Sequence, residues 1–265
     1  MKRFLHILPT CLVIILLWSC SSDFQRIERL YNDQEYQAAL DELDSYLFFH
    51  ITDLKALHMR ARSHEELGET LKAKKDYERI IALDDEYAQA YAGLGKLLFE
   101  EKNYNKAESY LLRAASLESN DFDILYLLGR TQLMTEKYSS SENFLIKARE
   151  INPEFAKVHF YEGMAKAMRG DVLGCAVSFN KYVQFEPDQL VGRYNRGFAL
   201  MRAGYVSYAL EDFEAILKVN PNHVEAIAKK GYCLAKLGDP QGCLYLQEAA
   251  NKGSEYAQNQ REICV

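Results

Sequence analysis

Catalytic and metal-binding signatures are missing from this sequence. It has no Gly-rich phosphate loop, no paired catalytic carboxylates, no nucleophile beside a base, and no CxxC or Cys/His spacing that would indicate zinc. His58 and His64 are six residues apart, so they do not share one face of a helix. Proline is scarce (5 residues), and no low-complexity tract indicates disorder. The sequence therefore predicts a folded protein without a metal, a cofactor or an enzymatic activity.

Basic charge is also in short supply. The chain has 32 Lys and Arg against 38 Asp and Glu, a net charge of −6. Without Lys2 and Arg3 the count is 30 against 38, which gives −8. Proteins that bind nucleic acid neutralise phosphates with a basic face, so this balance argues against nucleic acid as the main partner. It also argues against electrostatic attachment to anionic lipid.

What the sequence does contain is a repeat with a period of 34 residues, and no insertion interrupts it. The recurring glycines are Gly95, Gly129, Gly163, Gly197 and Gly231, and the recurring prolines are Pro153, Pro187 and Pro221. A parallel series of small residues comprises Ala39, Ala73, Ala107, Ser141, Cys175, Ala209 and Cys243. Self-similarity at this period predicts stacked helix–turn–helix repeats.

The residue types explain how one repeat packs. Small residues at positions 8 and 20 of the repeat let two helix backbones approach closely, and a large apolar residue at position 24 fills the remaining space. Glycine at position 15, as at Gly68 and Gly170, suits a turn with positive φ. We predict seven repeats that start at residues 20, 54, 88, 122, 156, 190 and 224 and fill residues 20–257, with a capping tail at 258–265.

The third repeat carries the pattern most fully, with Tyr91, Leu94, Gly95, Tyr104, Ala107, Leu111 and Ala114. In these residues the chain resembles the tetratricopeptide-repeat family. The resemblance implies an all-α, right-handed superhelical solenoid and a role in protein interaction. The first repeat departs from the pattern with Ile27 at the glycine position, and the seventh departs with Pro240 in its turn and Gln247 at the large apolar position. Atypical end repeats are expected because each has one face towards water.

The first nineteen residues are predicted to be a signal peptide. Lys2 and Arg3 precede an apolar run, Phe4–Trp18, that Pro9 interrupts and that is shorter than the ~20 residues of a membrane span. The stretch from residue 17 to 20 resembles the lipobox of bacterial lipoproteins, which implies lipidation of Cys20 and a place in the bacterial cell envelope, on the periplasmic side of the outer membrane in a Gram-negative cell. The alternative is an uncleaved signal-anchor helix with an incidental cysteine.

Four further cysteines belong to the predicted repeat domain. Cys175 and Cys243 occupy the small-residue position, where each can act as a small buried hydrophobe, and Cys233 and Cys264 lie elsewhere. An exported location permits disulfides, and Cys243 paired with Cys264 would tie the tail to the last helices. Free thiols are the alternative, since four cysteines allow three full pairings.

In the tetratricopeptide-repeat family the first helices of successive repeats line a concave groove, and this implies a binding surface here. Its basic part would be Arg62, Lys96 and Arg130, which can meet an acidic stretch or a C-terminal carboxylate. Its apolar part would comprise Tyr126, Met134, Phe160, Met164, Met168, Tyr194, Phe198, Met201 and Tyr232. We expect a protein or peptide ligand there, although each apolar residue can equally be core.

Two functions are compatible with these features. One is a lipid-anchored scaffold for assembly or maintenance of the cell envelope. The other is a surface lipoprotein that captures a non-protein ligand such as a glycan. Repeat proteins of that second kind carry long inserts between helices, and the unbroken 34-residue register offers none. The partner and the oligomeric state are open at this point.

Overall fold

The computed structural model describes residues 24–264, so the predicted signal peptide and Cys20 lie outside the described residues. All regular structure in the described part is helical, and no strand occurs there. Contacts divide the chain after Ser119 into two compact units. We call residues 24–119 the N-terminal unit and residues 120–264 the C-terminal unit. No helix in the described part is long and apolar enough to cross a membrane.

The N-terminal unit consists of three helix pairs. Residues 24–32 (α1) precede α2 (Tyr36–Phe49); α3 (Leu54–Glu66) pairs with α4 (Thr70–Leu83), and α5 (Ala88–Glu100) pairs with α6 (Tyr104–Leu117). Each of the helices α2 to α5 also packs on the next one. Leu43, Leu57, Tyr77 and Ile80 are wholly buried and form the centre of this unit with their neighbours.

The C-terminal unit continues the same alternation of helices. It contains α7 (Phe122–Met134), α8 (Tyr138–Ile151), α9 (Ala156–Met168), α10 (Val172–Phe185), α11 (Leu190–Arg202), α12 (Val206–Val219), α13 (Val224–Lys236), α14 (Gln241–Asn251) and α15 (Glu255–Asn259). A 3-10 turn over Arg261–Cys264 follows. Each helix packs on the next within this unit, and α15 packs on both α13 and α14.

The 34-residue period is visible in where the first helices begin. They start at residues 54, 88, 122, 156, 190 and 224, and each is 13 residues long. Aspartates cap two of them, because Asp53 Oδ1 accepts from the Ala56 amide at 3.0 Å and Asp121 Oδ1 accepts from the Ile124 amide at 2.9 Å. His223 caps a third, whereas α5, α9 and α11 begin at the same repeat position without a side-chain cap, so the cap is not what fixes the period.

Small residues bring the two helices of a pair together, as the sequence predicts. A Cβ on Gly95 would lie 2.6 Å from Leu111 Cγ, and a Cβ on Gly129 would lie 2.6 Å from Leu145 Cγ. Real side chains do not approach so closely, so only glycine fits. Ser141 adds a direct bond across one pair, since its Oγ donates to the Gly129 carbonyl at 2.7 Å. The helix–turn–helix packing therefore depends on these positions.

The turn inside each repeat is left-handed with or without glycine. Gly68 and Gly204 have φ of 73° and 85°, but Lys102 and Glu136 adopt φ of 62° and 61° at the same repeat position. We had expected glycine to mark this turn, and the structure shows that it is not obligatory. The left-handed conformation costs a non-glycine residue roughly 1–2 kcal/mol. The packing of the two helices that the turn connects offsets this cost.

In the seventh repeat the second helix is shifted by one residue, which the sequence did not reveal. The first turn of α14 is tight, because the Cys243 amide donates to the Pro240 carbonyl three residues before it, at 3.3 Å, whereas the equivalent amide in the earlier repeats donates to the carbonyl four residues before it. Gly242 therefore takes the buried small-residue place and Leu246 the large apolar place, while Gln247 is exposed. Our placement of Cys243 at the packed small position is wrong for this reason.

Cys243 instead pairs with the C-terminal tail. Its Sγ is bonded to Sγ of Cys264, with the two Cα atoms 5.6 Å apart. The bond closes the segment that contains α15 against α14. Cys175 and Cys233 are buried free thiols, and Cys175 fills the small-residue place that the repeat assigns to it.

Candidate functional site

The basic residues predicted for the N-terminal unit share one buried carboxylate. Glu65 Oε2 accepts from Lys96 Nζ at 2.8 Å, and Glu65 Oε1 accepts from the Tyr77 hydroxyl at 2.7 Å. Arg62 Nε lies 3.9 Å from the same carboxylate, whose side chain is only 3 % exposed. Glu65 therefore cancels part of the positive charge that the sequence alone placed on this surface. The sequence signal was available, since Glu65 is three residues from Arg62 on the same helix.

Arg62 is the cation in this group that still has a hydrogen-bond donor without an acceptor. Its Nε is buried and has no hydrogen-bond partner among the described residues, while its side chain is partly exposed. His58, one turn earlier, lies 5.9 Å from the Tyr77 ring and 5.7 Å from the Tyr87 ring. Burial, assisted by the charge of Arg62, lowers the pKa of His58 to about 4. His58 is thus neutral at physiological pH and adds no charge to this surface.

This low pKa predicts an acid-sensitive fold. The pKa of His58 is about 4 when folded against 6.5 without the fold, so the unfolded chain binds a proton between these values that the folded chain does not. The free energy of unfolding should fall as the pH drops from about 6.5 towards about 4, by about 3 kcal/mol through this residue. Urea unfolding of the wild type and of His58→Phe at several pH values measures this difference.

Phenylalanine is a suitable replacement because Phe160 occupies the same repeat position as His58. The variant should lose less stability on acidification than the wild type. Parallel pH profiles for the two proteins would contradict the assignment.

In the C-terminal unit Arg130 lies between two tyrosine rings. Its guanidinium carbon is 5.3 Å from the Tyr126 ring centroid and 4.9 Å from that of Tyr161. The Tyr126 ring also contacts Phe155 at 5.2 Å. Burial raises the pKa of Tyr126 to about 12, and the residue is almost inaccessible. Tyr126 therefore supports Arg130 from beneath and does not face a partner. Tyr161 was missed by the sequence reasoning.

The apolar residues predicted on α7 and α9 divide by exposure. Met134 and Met168 are exposed. Phe160 and Met164 are half-buried and pack on the core around Phe179, and the Phe160 ring lies 5.1 Å from that of Tyr182. Only the two methionines thus offer free apolar surface on this face.

The predicted surface on α11 and α13 is covered by the chain's own C-terminal helix. The Tyr256 ring of α15 lies 6.0 Å from that of Tyr232, and its hydroxyl lies 3.8 Å from Met201 Sδ. Lys229 Nζ is 2.8 Å from the Tyr256 ring centroid and 5.4 Å from that of Phe198. Met201 is consequently buried. We expected an open groove here, and the structure shows a capped one.

Tyr194 also packs inward at this end. Its ring stacks on His223 at 5.7 Å and lies 6.0 Å from the ring of the buried Phe213. Burial raises the pKa of Tyr194 and lowers that of Lys229 to about 8. Tyr194, Lys229 and Tyr256 thus pack together and cover this end of the helix stack.

An open apolar groove lies instead on the second helices, between α10 and α12. It encloses about 640 Å³. Its walls carry four exposed apolar or aromatic side chains, namely Leu173, Val177, Tyr205 and Tyr208. Sequence reasoning missed this surface because it followed the first helices, on which the family's groove lies. The available signal was the apolar residues on the outer face of α10.

The floor of this groove is a buried ion pair. Asp212 accepts from Arg196 Nε at 2.9 Å and from Nη2 at 2.5 Å, and Asn180 Oδ1 accepts from Nη1 at 2.7 Å. The same arrangement recurs in the N-terminal unit, where Arg60 bonds Asp76 sixteen residues later. In the floor of the groove Arg196 and Asp212 therefore neutralise each other, Glu211 adds an exposed carboxylate to the lining, and the apolar walls supply the surface for contact.

Comparisons with known proteins agree with the repeat. Sequence models described as tetratricopeptide repeat match residues 58–124 and 98–167. The chain is 33% identical over 70 residues to the tetratricopeptide repeat and J domain-containing co-chaperone DNJ1 of Cryptococcus neoformans, which is 26% of this chain and 13% of that protein. It is 24% identical over 211 residues to the BBSome complex member BBS4 of Bos taurus, 75% of this chain and 41% of BBS4. It thus spans less than half the length of either relative.

Solved structures show the same fold. YrrB, described as a TPR protein with an unusual peptide-binding site, matches with a TM-score of 0.65 at 22% identity, over 69% of this chain and 95% of YrrB. PilF of Pseudomonas aeruginosa matches with a TM-score of 0.65 at 16% identity, over 78% of this chain and 94% of PilF. A tetratricopeptide repeat protein from Parabacteroides merdae matches with a TM-score of 0.60 at 13% identity, over 93% of this chain and 99% of that protein. The predicted all-α helical-repeat solenoid is therefore confirmed.

Proposed function

We propose that this chain is a tetratricopeptide-repeat adaptor, lipid-anchored in a bacterial cell envelope, that binds a peptide segment of a protein partner and catalyses no reaction. The groove between α10 and α12 carries the binding part of this proposal. Its volume of about 640 Å³ and its exposed apolar walls match the requirements of a helix or strand that docks through spaced apolar side chains. The peptide-binding site named for YrrB, a protein of similar fold, supports this use.

The groove favours a peptide over a glycan. Sugars are held by many free hydrogen-bond donors and acceptors, and the guanidinium in this floor already bonds Asp212 and Asn180. Connections between consecutive helices from α1 to α14 are three or four residues long, so no inserted loop builds a second wall. The exposed Met134 and Met168 on the first helices, together with Arg130, provide a second candidate face for the same peptide.

The binding site can be tested by photocrosslinking from single positions in cells. A photoreactive residue at Val177 should give an adduct with the partner, because its side chain is 64 % exposed in the groove wall. One at Leu244, which is 71 % exposed on α14 outside the groove, is the matched control. With the purified partner segment, Val177→Asp should raise Kd at least about tenfold, the effect of losing ~1.4 kcal/mol.

Three results would distinguish the surfaces. An adduct at Met168 and not at Val177 would move the site to the first helices. Equal adducts at Val177 and Leu244, or an unchanged Kd for Val177→Asp, would contradict the groove. Because the two positions are exposed, circular dichroism should show no loss of helix in any variant.

The lipid anchor is supported by residues 17–20, which resemble a lipobox, and by the Cys243–Cys264 disulfide, since such bonds persist in oxidising compartments. Two or more acyl chains at Cys20 would hold the chain stably, at ~0.8 kcal/mol per buried CH₂. Cys20→Ser should abolish incorporation of labelled palmitate and the accompanying shift in mass. A labelled Cys20→Ser protein would overturn the anchor.

A further inference from the structure

A cluster of apolar side chains protrudes from the end of α2 in the N-terminal unit. Phe48 is 76 % exposed, Phe49 is 80 % exposed and Ile51, in the following connection, is 56 % exposed. The two rings contact each other edge to face at 4.9 Å. Arg79 Nη2 donates to the Ile51 carbonyl at 2.5 Å, which fixes the connection. Contiguous exposed apolar groups of this kind mark interaction surfaces.

The repeat shows that the fold does not require an apolar residue at the positions of Phe48 and Ile51. At the position of Phe48 the following repeats have Ala82, Ser116, Glu150, Gln184 and Lys218. At the position of Ile51 they have Asp85, Ser119, Pro153, Pro187 and Pro221. Small, polar or turn-forming residues thus suffice at these two positions. The position of Phe49 differs, because it holds a large apolar residue in every following repeat: Leu83, Leu117, Ile151, Phe185 and Val219. Apolar residues at all three positions together are therefore a property of the first repeat alone.

The cluster lies where the undescribed N-terminal segment joins the fold. Phe24, the first described residue of α1, has its ring 5.2 Å from that of Tyr46 on α2. Tyr46 is two and three residues before Phe48 and Phe49. Cys20 is four residues before Phe24, so their Cα atoms are at most about 14 Å apart. The predicted lipid is therefore tethered within about 14 Å of Phe24, which packs on the end of α2 that carries the cluster.

We propose that Phe48, Phe49 and Ile51 insert into the interface between headgroups and acyl chains of the membrane that holds the N-terminus. This inference rests on the lipid anchor of the proposed function. The anchor removes the entropy cost of bringing the cluster to the membrane, and aromatic side chains favour the interfacial layer. Membrane contact at this end would orient the first repeat relative to the bilayer, which a lipid on a flexible linker would not.

The charges around the cluster favour insertion through apolar contact. Arg79 lies near the end of α4 and bonds to Ile51, so the connection after α4, with Asp84, Asp85 and Glu86, lies at the same end of the unit. These carboxylates would repel anionic lipid. Insertion should therefore occur into zwitterionic phosphatidylcholine and should not require anionic lipid.

Tryptophan quenching by brominated phosphatidylcholine tests the proposal. The sequence has one Trp, Trp18, which lies in the predicted signal peptide, so an introduced Trp is the only Trp of the processed, lipidated protein. This protein carrying Phe49→Trp, purified from membranes and reconstituted in phosphatidylcholine vesicles, should lose more than half of its Trp fluorescence when the lipid is brominated. Leu71→Trp is the matched control, because Leu71 is 81 % exposed but lies in the first turn of α4, at the opposite end of that helix from Arg79, which bonds to Ile51. It should lose less than a tenth.

The outcomes separate this inference from the anchor on which it rests. If neither protein floats with the vesicles, the anchor fails and the insertion fails with it. If both float but Phe49→Trp is quenched no more than Leu71→Trp, the anchor stands and the insertion is overturned. Concentration-dependent crosslinking between copies through Phe49→Cys, without quenching, would assign the cluster to a second copy of this chain and would also overturn it.

Discussion

Replacing Asp212 by Ala is expected to lower the free energy of unfolding of the C-terminal unit by about 3–5 kcal/mol. Asp212 is 2 % exposed and accepts two hydrogen bonds from Arg196, at 2.9 and 2.5 Å. Without the carboxylate the guanidinium stays largely buried with its charge unpaired. In the wild type the hydrogen bond to Asp212, opposed by burial, raises the pKa of Arg196. Without that bond an arginine still keeps its proton at neutral pH, because its ordinary pKa is above about 12, so the charge stays. Urea unfolding followed by circular dichroism measures the effect.

The repeat supplies its own rescue for this variant. At the positions of Arg196 and Asp212, the third and fourth repeats hold Leu94 with Tyr110 and Leu128 with Phe144. Arg196→Leu combined with Asp212→Phe should therefore recover most of the lost stability, because an apolar pair of suitable size often replaces a buried ion pair without loss. A cost below about 1 kcal/mol for Asp212→Ala alone, the value of an exposed ion pair, would show that the pair is not structural.

The second large effect is expected for Gly242→Ala, which should lower the free energy of unfolding by about 3 kcal/mol through overpacking. A Cβ on Gly242 would lie 2.6 Å from the Gly231 carbonyl oxygen and closer still to the Ala235 nitrogen. Both obstacles are backbone atoms of α13, so no rotamer change can relieve the clash. The helices must separate, and the contacts of Leu246 would be lost with them. Thermal unfolding and amide exchange at Leu246 measure the change.

Two controls accompany this prediction. Gln241→Ala changes the exposed neighbour and should alter stability by less than about 0.5 kcal/mol. Gly231→Ala introduces a Cβ 2.8 Å from the Gly242 carbonyl oxygen and from the Leu246 nitrogen, so it forces the same separation. The double variant should cost less than the sum of the two single changes. A neutral Gly242→Ala would mean that α13 and α14 are not in close backbone contact.

Much of the local structure could be predicted because it depends on residues near in sequence. The 34-residue spacing of small and large residues placed the helix pairs, since Gly95 meets Leu111 sixteen residues later in the same repeat. One local feature escaped prediction. The tight turn after Pro240 shifts α14 by one residue, and the hydrogen bond of the Cys243 amide to the Pro240 carbonyl reveals it. A small change in backbone geometry moved every later side chain of that helix.

The candidate site was less predictable because it depends on contacts between repeats. Position in the repeat correctly placed Arg62 and Lys96 on first helices, yet it could not show that both approach Glu65. It assigned Tyr232 to an open groove, whereas Tyr256 from α15 contacts it. The repeat pattern describes what one unit presents, and the neighbouring chain decides what remains accessible.

The sequence by itself determined the period, the helix–turn–helix unit and the absence of catalytic and metal-binding signatures, because these follow from composition and short-range spacing. Only the tertiary structure decided which of the predicted contact residues are free. It buried Tyr126 and Met201, opened a groove between α10 and α12, and exposed Phe48 and Phe49 beside the start of α1. Exposure is the surface left after all neighbours have packed, so it cannot be assigned to a residue before the partners of that residue are known.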